Sequence, residues 1–175
     1  QTAVPVIGFL STRAADEDPQ LLAAFLQGLR DAGYAEGRNV AIECRYADNR
    51  YDRLPVLAAD LIQRGVTVIT ANGPAARAAK AATSTIPIVF TAGFDPVEMG
   101  LVVSLNRPGG NVTGITVLDV QLGAKRLDLL HELVPAAVAI AGLVNPGDPA
   151  RSKAISEDLE AAARKLGLQL LLVPA

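Results

Sequence analysis

The chain has 175 residues, half of them hydrophobic and 19% charged, with a net charge of −2. That length and apolar content fit one globular domain, or one and a fraction, with a real core, and argue against disorder. The near-balanced, dispersed charge gives no footprint for nucleic acid, and no apolar run approaches the roughly 18 to 20 residues that cross a bilayer.

The chain opens on "VPVIGFL", a buried strand, and then the polar loop "STRAADED". Next, "PQLLAAFLQGLRDAG" sets Leu22, Phe25, Leu26 and Leu29 on one helical stripe, starts at Pro19 and stops at Gly33. In "NVAIECRYA" the residues Val40, Ile42, Cys44 and Tyr46 alternate with Ala41, Glu43 and Arg45, which predicts a strand near a sheet edge with one better-buried face. A second amphipathic helix, "YDRLPVLAADLIQRG", carries Leu54, Leu57, Leu61 and Ile62, has Pro55 in its first turn and stops at Gly65.

The pattern repeats with strand "VTVITA", helix "PAARAAKAAT", strand "IPIVFTA" and a predicted helix "DPVEMGLVVSLN". That last segment carries a capping box, with Asp95 as N-cap, Pro96 at N1 and Glu98 at N3. After the turn signal "RPGGN" comes one more extended segment, "NVTGITVL". Alternating strands and helices with short connectors specify βαβ units and a mostly parallel α/β sheet.

From Asp119 the pattern restarts: helix "VQLGAKRLDLLHELVP", strand "AVAIAGLVN", a capped helix in "PGDPARSKAISEDLEAAARKLG" closed by Gly167, and strand "LQLLLVPA" to Ala175. Two strands are too few for a sheet that buries itself. Residues 1–115 are therefore expected to form one α/β lobe, and 116–175 a crossover near Gly114 to Leu118 plus the first part of a second lobe. The alternative is that both late strands extend the first sheet.

Ligands of open parallel sheets bind outside the carboxyl ends of the strands. The loops to consider are "STRAADED", "ANGPAA", "TAGFDPVE" and "NPGDPARS". Ser11, Thr12, Asn72, Thr91 and Asn145 offer small neutral hydrogen-bonding groups, while Gly73, Gly93 and Gly147 let backbone approach a ligand. Asn, Gly, Ser and Pro are also what turns use without any ligand, so it is the four loops together that carry the signal. Asp95 is read first as a helix cap, with a ligand ammonium group as the other role. Phe94 is the only aromatic in these loops, placed either to pack on an apolar part of a ligand or to plug the surface between the lobes.

The enzyme motifs fail: there is no GxxxxGK[ST], no GxGxxG after the first strand and no GxSxG. The single Cys44 and single His131 build neither a dithiol pair nor a usual zinc site, and His131 sits near a helix C-terminus where it meets the dipole. Asp16, Glu17 and Asp18 read as a solvated run. With no Trp and only 4% aromatics, no stacking platform for sugars or bases is visible. No cofactor and no metal are expected.

The stretches "LRDAGYAEGRNV", "DPVEMGLV" and "RPGGNVTG", in that order and spacing, together with "VIGFLS", "ITANGPAARAAKAATSTIPIVF" and "LVNPGDP", resemble the substrate-binding proteins of bacterial ABC importers of the tryptophan/tyrosine type. The resemblance implies the periplasmic-binding-protein-like type I fold, with two Rossmann-like lobes, parallel sheets and a small ligand held between them, the second lobe incomplete in this chain. It implies no enzyme activity, ABC permease transmembrane subunits as partners, and a periplasmic location, with Gln1 read as a mature start. Carried over by position, the ligand-facing residues are Ser11, Thr12, Asn72, Gly73, Pro74, Ala75, Gly93, Phe94, Asp95 and Asn145. The turn "NGPA" lacks a Thr often found before the Pro in this family, so the ligand is not copied from aromatic amino acid binders. The start of the "PAARAAK" helix, with the N–H groups of Ala75 and Ala76 exposed, is expected to hold a carboxylate. A ligand-sensing domain of a regulator or receptor is the second reading, and an isomerase-type enzyme the third.

Overall fold

The computed structural model describes residues 4–17, 19–117 and 122–174. Gln1, Asp18, Ala175, and the expected entry to the second unit from Leu118 through Asp119 to the helix start at Val120, lie outside the described residues. The elements run β1 (Val6–Ser11), α1 (Pro19–Asp31), β2 (Ala41–Tyr46), α2 (Leu54–Gln63), β3 (Val68–Asn72), α3 (Gly73–Ala82), β4 (Ile88–Ala92), β5 (Val112–Thr116), α4 (Gly123–Leu133), β6 (Ala139–Val144), α5 (Pro149–Leu166) and β7 (Gln169–Pro174). A 3₁₀ turn over Tyr51–Arg53 leads into α2, and Pro55 falls in the first turn of that helix as its sequence requires.

The chain divides into two compact units, one ending at Thr116 and one beginning at Val117. The first holds a parallel five-stranded sheet in the order β2-β1-β3-β4-β5, and the second a parallel pair β6-β7. In the first sheet, register places Gly8, Ile69, Ile88 and Val112 on one row and Leu10, Ala71, Phe90 and Gly114 on the next row of the same face. All the large side chains of those two rows are buried. Helix α2 lies close on this face, since a Cβ added to Gly8 would stand 3.1 Å from Leu61 Cδ1. Complete burial of Leu61 and Ile69 contributes about 2 kcal/mol each.

The opposite face is covered differently. Phe9 on it meets Phe25 of α1 with ring centroids 5.5 Å apart. Yet no residue of α1 is fully buried, and towards the far edge Val89 is 41% and Ile115 72% exposed. The sequence stripe of α1 is therefore real, but it packs loosely.

Strand β2 forms one edge of the sheet, and all six of its residues are half-buried rather than split into a buried and an open face. Charge explains this. Arg45 Nε donates to Asp60 Oδ2 of α2 at 2.6 Å, Arg64 adds a bond to the same oxygen at 3.1 Å, and Glu43 lies 3.3 Å from Arg45. Charged residues pointing inward at an edge also discourage pairing with another strand. The hydrogen bond from Arg45, helped by Arg64, holds the Asp60 carboxyl below the usual carboxylate range.

The helix expected over 95–106 is not formed. Asp95 Oδ1 accepts from the N–H groups of Val97 and Glu98 at 2.8 and 3.3 Å, so the cap is present, and a single turn follows. Gly100 then takes a φ of +67°, and the N–H groups of Leu101 and Val102 both return to the Pro96 carbonyl. The capping signal is correct, but a left-handed glycine five residues on ends the turn before propagation can repay nucleation. Lys80 of α3 fixes the turn by donating to the carbonyls of Gly100 and Leu101 at 2.6 and 3.1 Å.

In the second unit, Leu127 of α4 with Ala162 and Ala163 of α5 form the buried cluster, joined by Ile140, Leu168 and Leu170. Asp148 caps α5 by accepting from the Arg151 N–H at 3.2 Å, and Gly167 closes it with a φ of +70°.

Three outcomes test this account. A Cβ at Gly114 would fall inside contact distance of the Phe90 carbonyl oxygen and 2.6 Å from its ring, so Gly114→Ala should lower stability by about 2 kcal/mol in chemical denaturation. Asp95→Ala should lose about 1 kcal/mol, whereas Asp95→Asn should lose a few tenths at most. Because the Asp60 pKa is lowered on folding, its contribution is complete above the unfolded carboxylate range and fades as pH falls through the folded value. Asp60→Asn should therefore flatten that part of an acid-unfolding profile.

Candidate functional site

Strand order 2-1-3-4-5 reverses direction between β1 and β3. The helix after β1 lies on the Phe9 face while those after β2 and β3 lie on the Gly8 face, so the two loops diverge and leave a crevice at the strand ends. Ser11, Thr12, Asn72, Gly73, Pro74, Gly93, Phe94 and Asp95 all fall on this carboxyl edge of the first sheet.

The crevice is bridged by one side chain. Asn72 Oδ1 accepts from the Thr12 N–H at 3.0 Å, and Asn72 Nδ2 donates to Thr12 Oγ1 at 3.2 Å. Ser11 Oγ accepts from the Arg13 N–H at 3.2 Å. Ser11 and Thr12 are 7% and 6% exposed, and each hydroxyl keeps one proton to donate. Asn72 stands at the N-cap position of α3 in extended backbone, yet no side chain caps that helix.

Two expectations change at this point. Ala75 and Ala76, whose N–H groups are expected to face a ligand, are completely buried. The small side chains that would let a ligand approach instead let α3 lie tightly on the sheet. A bulkier residue at Ala75 would then strain the core before it could report on binding. Phe94 is also buried, its ring 3.8 Å from where a Gly73 Cβ would be, and its carbonyl accepts from Thr116 Oγ1 at 2.6 Å. Phe94 therefore packs inside its own unit. Gly73 takes a φ of +36°, a backbone conformation that favours glycine at this turn.

Beside the edge, under α1, lies a pocket of about 300 Å³. Its walls include Phe9, Leu22, Phe25 and Tyr46, and its polar border includes Ser11, Asn72 and Thr91. Phe9 and Tyr46 have ring centroids 6.2 Å apart. Burial pushes the Tyr46 hydroxyl up to about 12, with the neighbouring Cys44 adding to the shift. This aromatic cluster was outside the loops selected by composition. Register would have revealed it, because Phe9 and Tyr46 fall on one face of adjacent strands and Phe25 lies on the apolar stripe of α1.

The acidic run is also more than solvated surface. Glu17 accepts from the Ala14 N–H at 3.2 Å and from Asn49 Nδ2 at 2.6 Å, tying the β1–α1 loop to the turn after β2. Asn145 belongs to the second unit, at the carboxyl end of β6, where its Oδ1 accepts from the Gly147 N–H at 2.8 Å in a local turn. His131 sits in the last turn of α4, its Nδ1 shielded and without a hydrogen-bond partner. Among the described residues no group of three or more His, Cys, Asp or Glu is placed to hold a metal, and no helix is long and apolar enough to cross a membrane. The edge supplies hydroxyl and backbone donors around an apolar pocket, which is the chemistry of holding a small amphipathic molecule.

Residues 3–175 match the family described as ABC transporter substrate binding protein. A tyrosine-binding protein of Clostridioides difficile is 37% identical over 142 residues, which cover 81% of this chain and 40% of that one. A solved conserved domain protein of Vibrio cholerae superposes with a TM-score of 0.86 at 30% identity, covering 99% of this chain and 58% of its own. A solved ABC domain from Streptococcus pneumonia in complex with L-Trp, at 24% identity and a TM-score of 0.83, also shares the fold over 99% of this chain and 58% of its own. The chain thus spans about two fifths of the curated relative and under two thirds of these solved chains. Proteins of the matched family bind substrates and are not enzymes. The chain has their type I α/β architecture, and it belongs to the ABC transporter substrate binding protein family.

Proposed function

We propose that the protein is the extracytoplasmic receptor of an ABC importer, which captures an amino acid or related small polar compound and delivers it to the permease transmembrane subunits. In this reading residues 1–115 form the first lobe, and 116–175 form the hinge crossover and the beginning of the second. The ligand binds between the lobes in the periplasm, and hinge closure presents the closed form to the permease.

The observation that carries the proposal is the pairing of a pocket of about 300 Å³, walled by Phe9, Phe25 and Tyr46, with a border of hydrogen-bonding groups at the carboxyl strand ends. An apolar portion of the ligand enters the pocket. Its polar portion meets Ser11, Thr12, Gly73, Pro74, Gly93 and Asp95 on the first lobe and Asn145 on the second, while Ala75 and Phe94 support the turns from behind. The relative named for tyrosine binding supports an amino acid as the class.

A thermal-shift series on the intact protein with amino acids, nucleosides, sugars and small carboxylates tests this. At about 100 times Kd a true ligand adds about 2.7 kcal/mol, which raises Tm by several degrees. The expected result is a shift with an amino acid and no turnover of it. Shifts confined to sugars or nucleosides, or conversion of the added compound, would contradict the proposal.

A further inference from the structure

We infer that Asn72 is a positioning residue, which fixes the loop after β1 against the loops after β2 and β3 through Thr12, and does not itself hold the ligand. The inference rests on the binding role proposed above. Asn72 and Thr12 are 60 residues apart in sequence, one ending β3 and the other just past the end of β1, the two strands between which the sheet reverses. An Asn at an N-cap in extended backbone normally turns its oxygen back onto the first helical turn. Here both polar atoms of its amide are directed at Thr12 instead, and α3 has no side-chain cap.

Thr12 is in turn the meeting point of a third loop. Its carbonyl accepts from the Asn49 N–H at 2.8 Å, and the preceding carbonyl, of Ser11, accepts from the Ala47 N–H at 2.9 Å. Asp48 and Asn49 are left-handed in succession, at φ +54° and +59°. Asn and Asp tolerate that region best among residues with a side chain, but two together need outside support. The support is the Asn49 bond to Thr12, the Asn49 bond to Glu17 and the ion pair from Arg53 to Asp48. Every group of Thr12 except the proton of its hydroxyl is therefore committed to a neighbouring loop. One donor remains, aimed by the network that surrounds it. Removing the Asn72 amide frees the Thr12 N–H and hydroxyl together, and the loops separate at the point where a ligand would need them fixed.

Amide hydrogen exchange on the intact protein without added ligand, compared between wild type and Asn72→Ala, is the test. The expected result is at least tenfold faster exchange at Thr12 and Asn49, with Ile69 and Ile88 in the sheet unchanged. Thr12→Ser, which keeps every group in the network, should exchange as wild type does at Asn49, and Thr12→Val should lie between. With L-tyrosine as the probe, Asn72→Ala should bind at least tenfold more weakly than wild type. Equal acceleration at all four amides would make Asn72 a general stability residue, and unchanged exchange with lost binding would make it a ligand contact. Either result overturns the inference. If wild type fails to bind L-tyrosine, the exchange data still decide the role of Asn72, and only the choice of ligand class falls.

Discussion

A parallel sheet ordered 2-1-3-4-5 must send the helix after β1 to one face and the helix after β3 to the other. The loops that leave these two adjacent strands diverge, and the backbone groups they expose have to be satisfied from within the crevice or by something that enters it. The protein meets this constraint with one amide, Asn72, bridging to Thr12. Around that bridge the loop after β2 is drawn in through Asn49, and the pocket under α1 gains its polar border. The β4 loop is held separately, by Thr116 bonding to the Phe94 carbonyl and by Phe94 packing against Gly73. The edge is therefore cross-linked by hydrogen bonds where loops meet and open where the pocket begins.

Much of this was legible in the sequence. Strands and helices alternate where their apolar periods say they should, from Val6–Ser11 through Ala41–Tyr46 and Val68–Asn72, and Gly167 closes the last helix. The segment after Asp95 misled because a cap and an apolar pattern are local signals, while the outcome turned on the conformation of one residue, Gly100. Alanines at 75 and 76 misled for a different reason. Small residues permit close approach of either a ligand or a neighbouring element, and the sequence does not say which. Here α3 itself uses the space, against the sheet.

What composition hid most was the aromatic cluster. With only 4% aromatics the chain offers no obvious platform, but Phe9, Phe25 and Tyr46 come from a strand, a helix and a second strand, so their meeting is set by register and helix face rather than by spacing. The same holds for Asn72 and Thr12, each ordinary in its own turn and informative only as a pair. Fold was readable because it is built from local repeats. The sequence pointed to an edge as the candidate site, and the contacts that shape that edge join distant segments.

Such an edge fits a molecule with an apolar body and a polar head better than it fits a uniformly polar one. The apolar body gains by leaving water among Phe9, Phe25 and Leu22, and the head exchanges water for hydroxyl and backbone partners. The most direct measurement is mapping of backbone amide chemical shifts of the intact protein during titration with L-tyrosine. Binding at this edge requires the largest changes to cluster at residues 9–13, 46, 70–74 and 91–95 of the first unit. Changes centred elsewhere, on α2 or on the β2 edge, would contradict the assignment of the site.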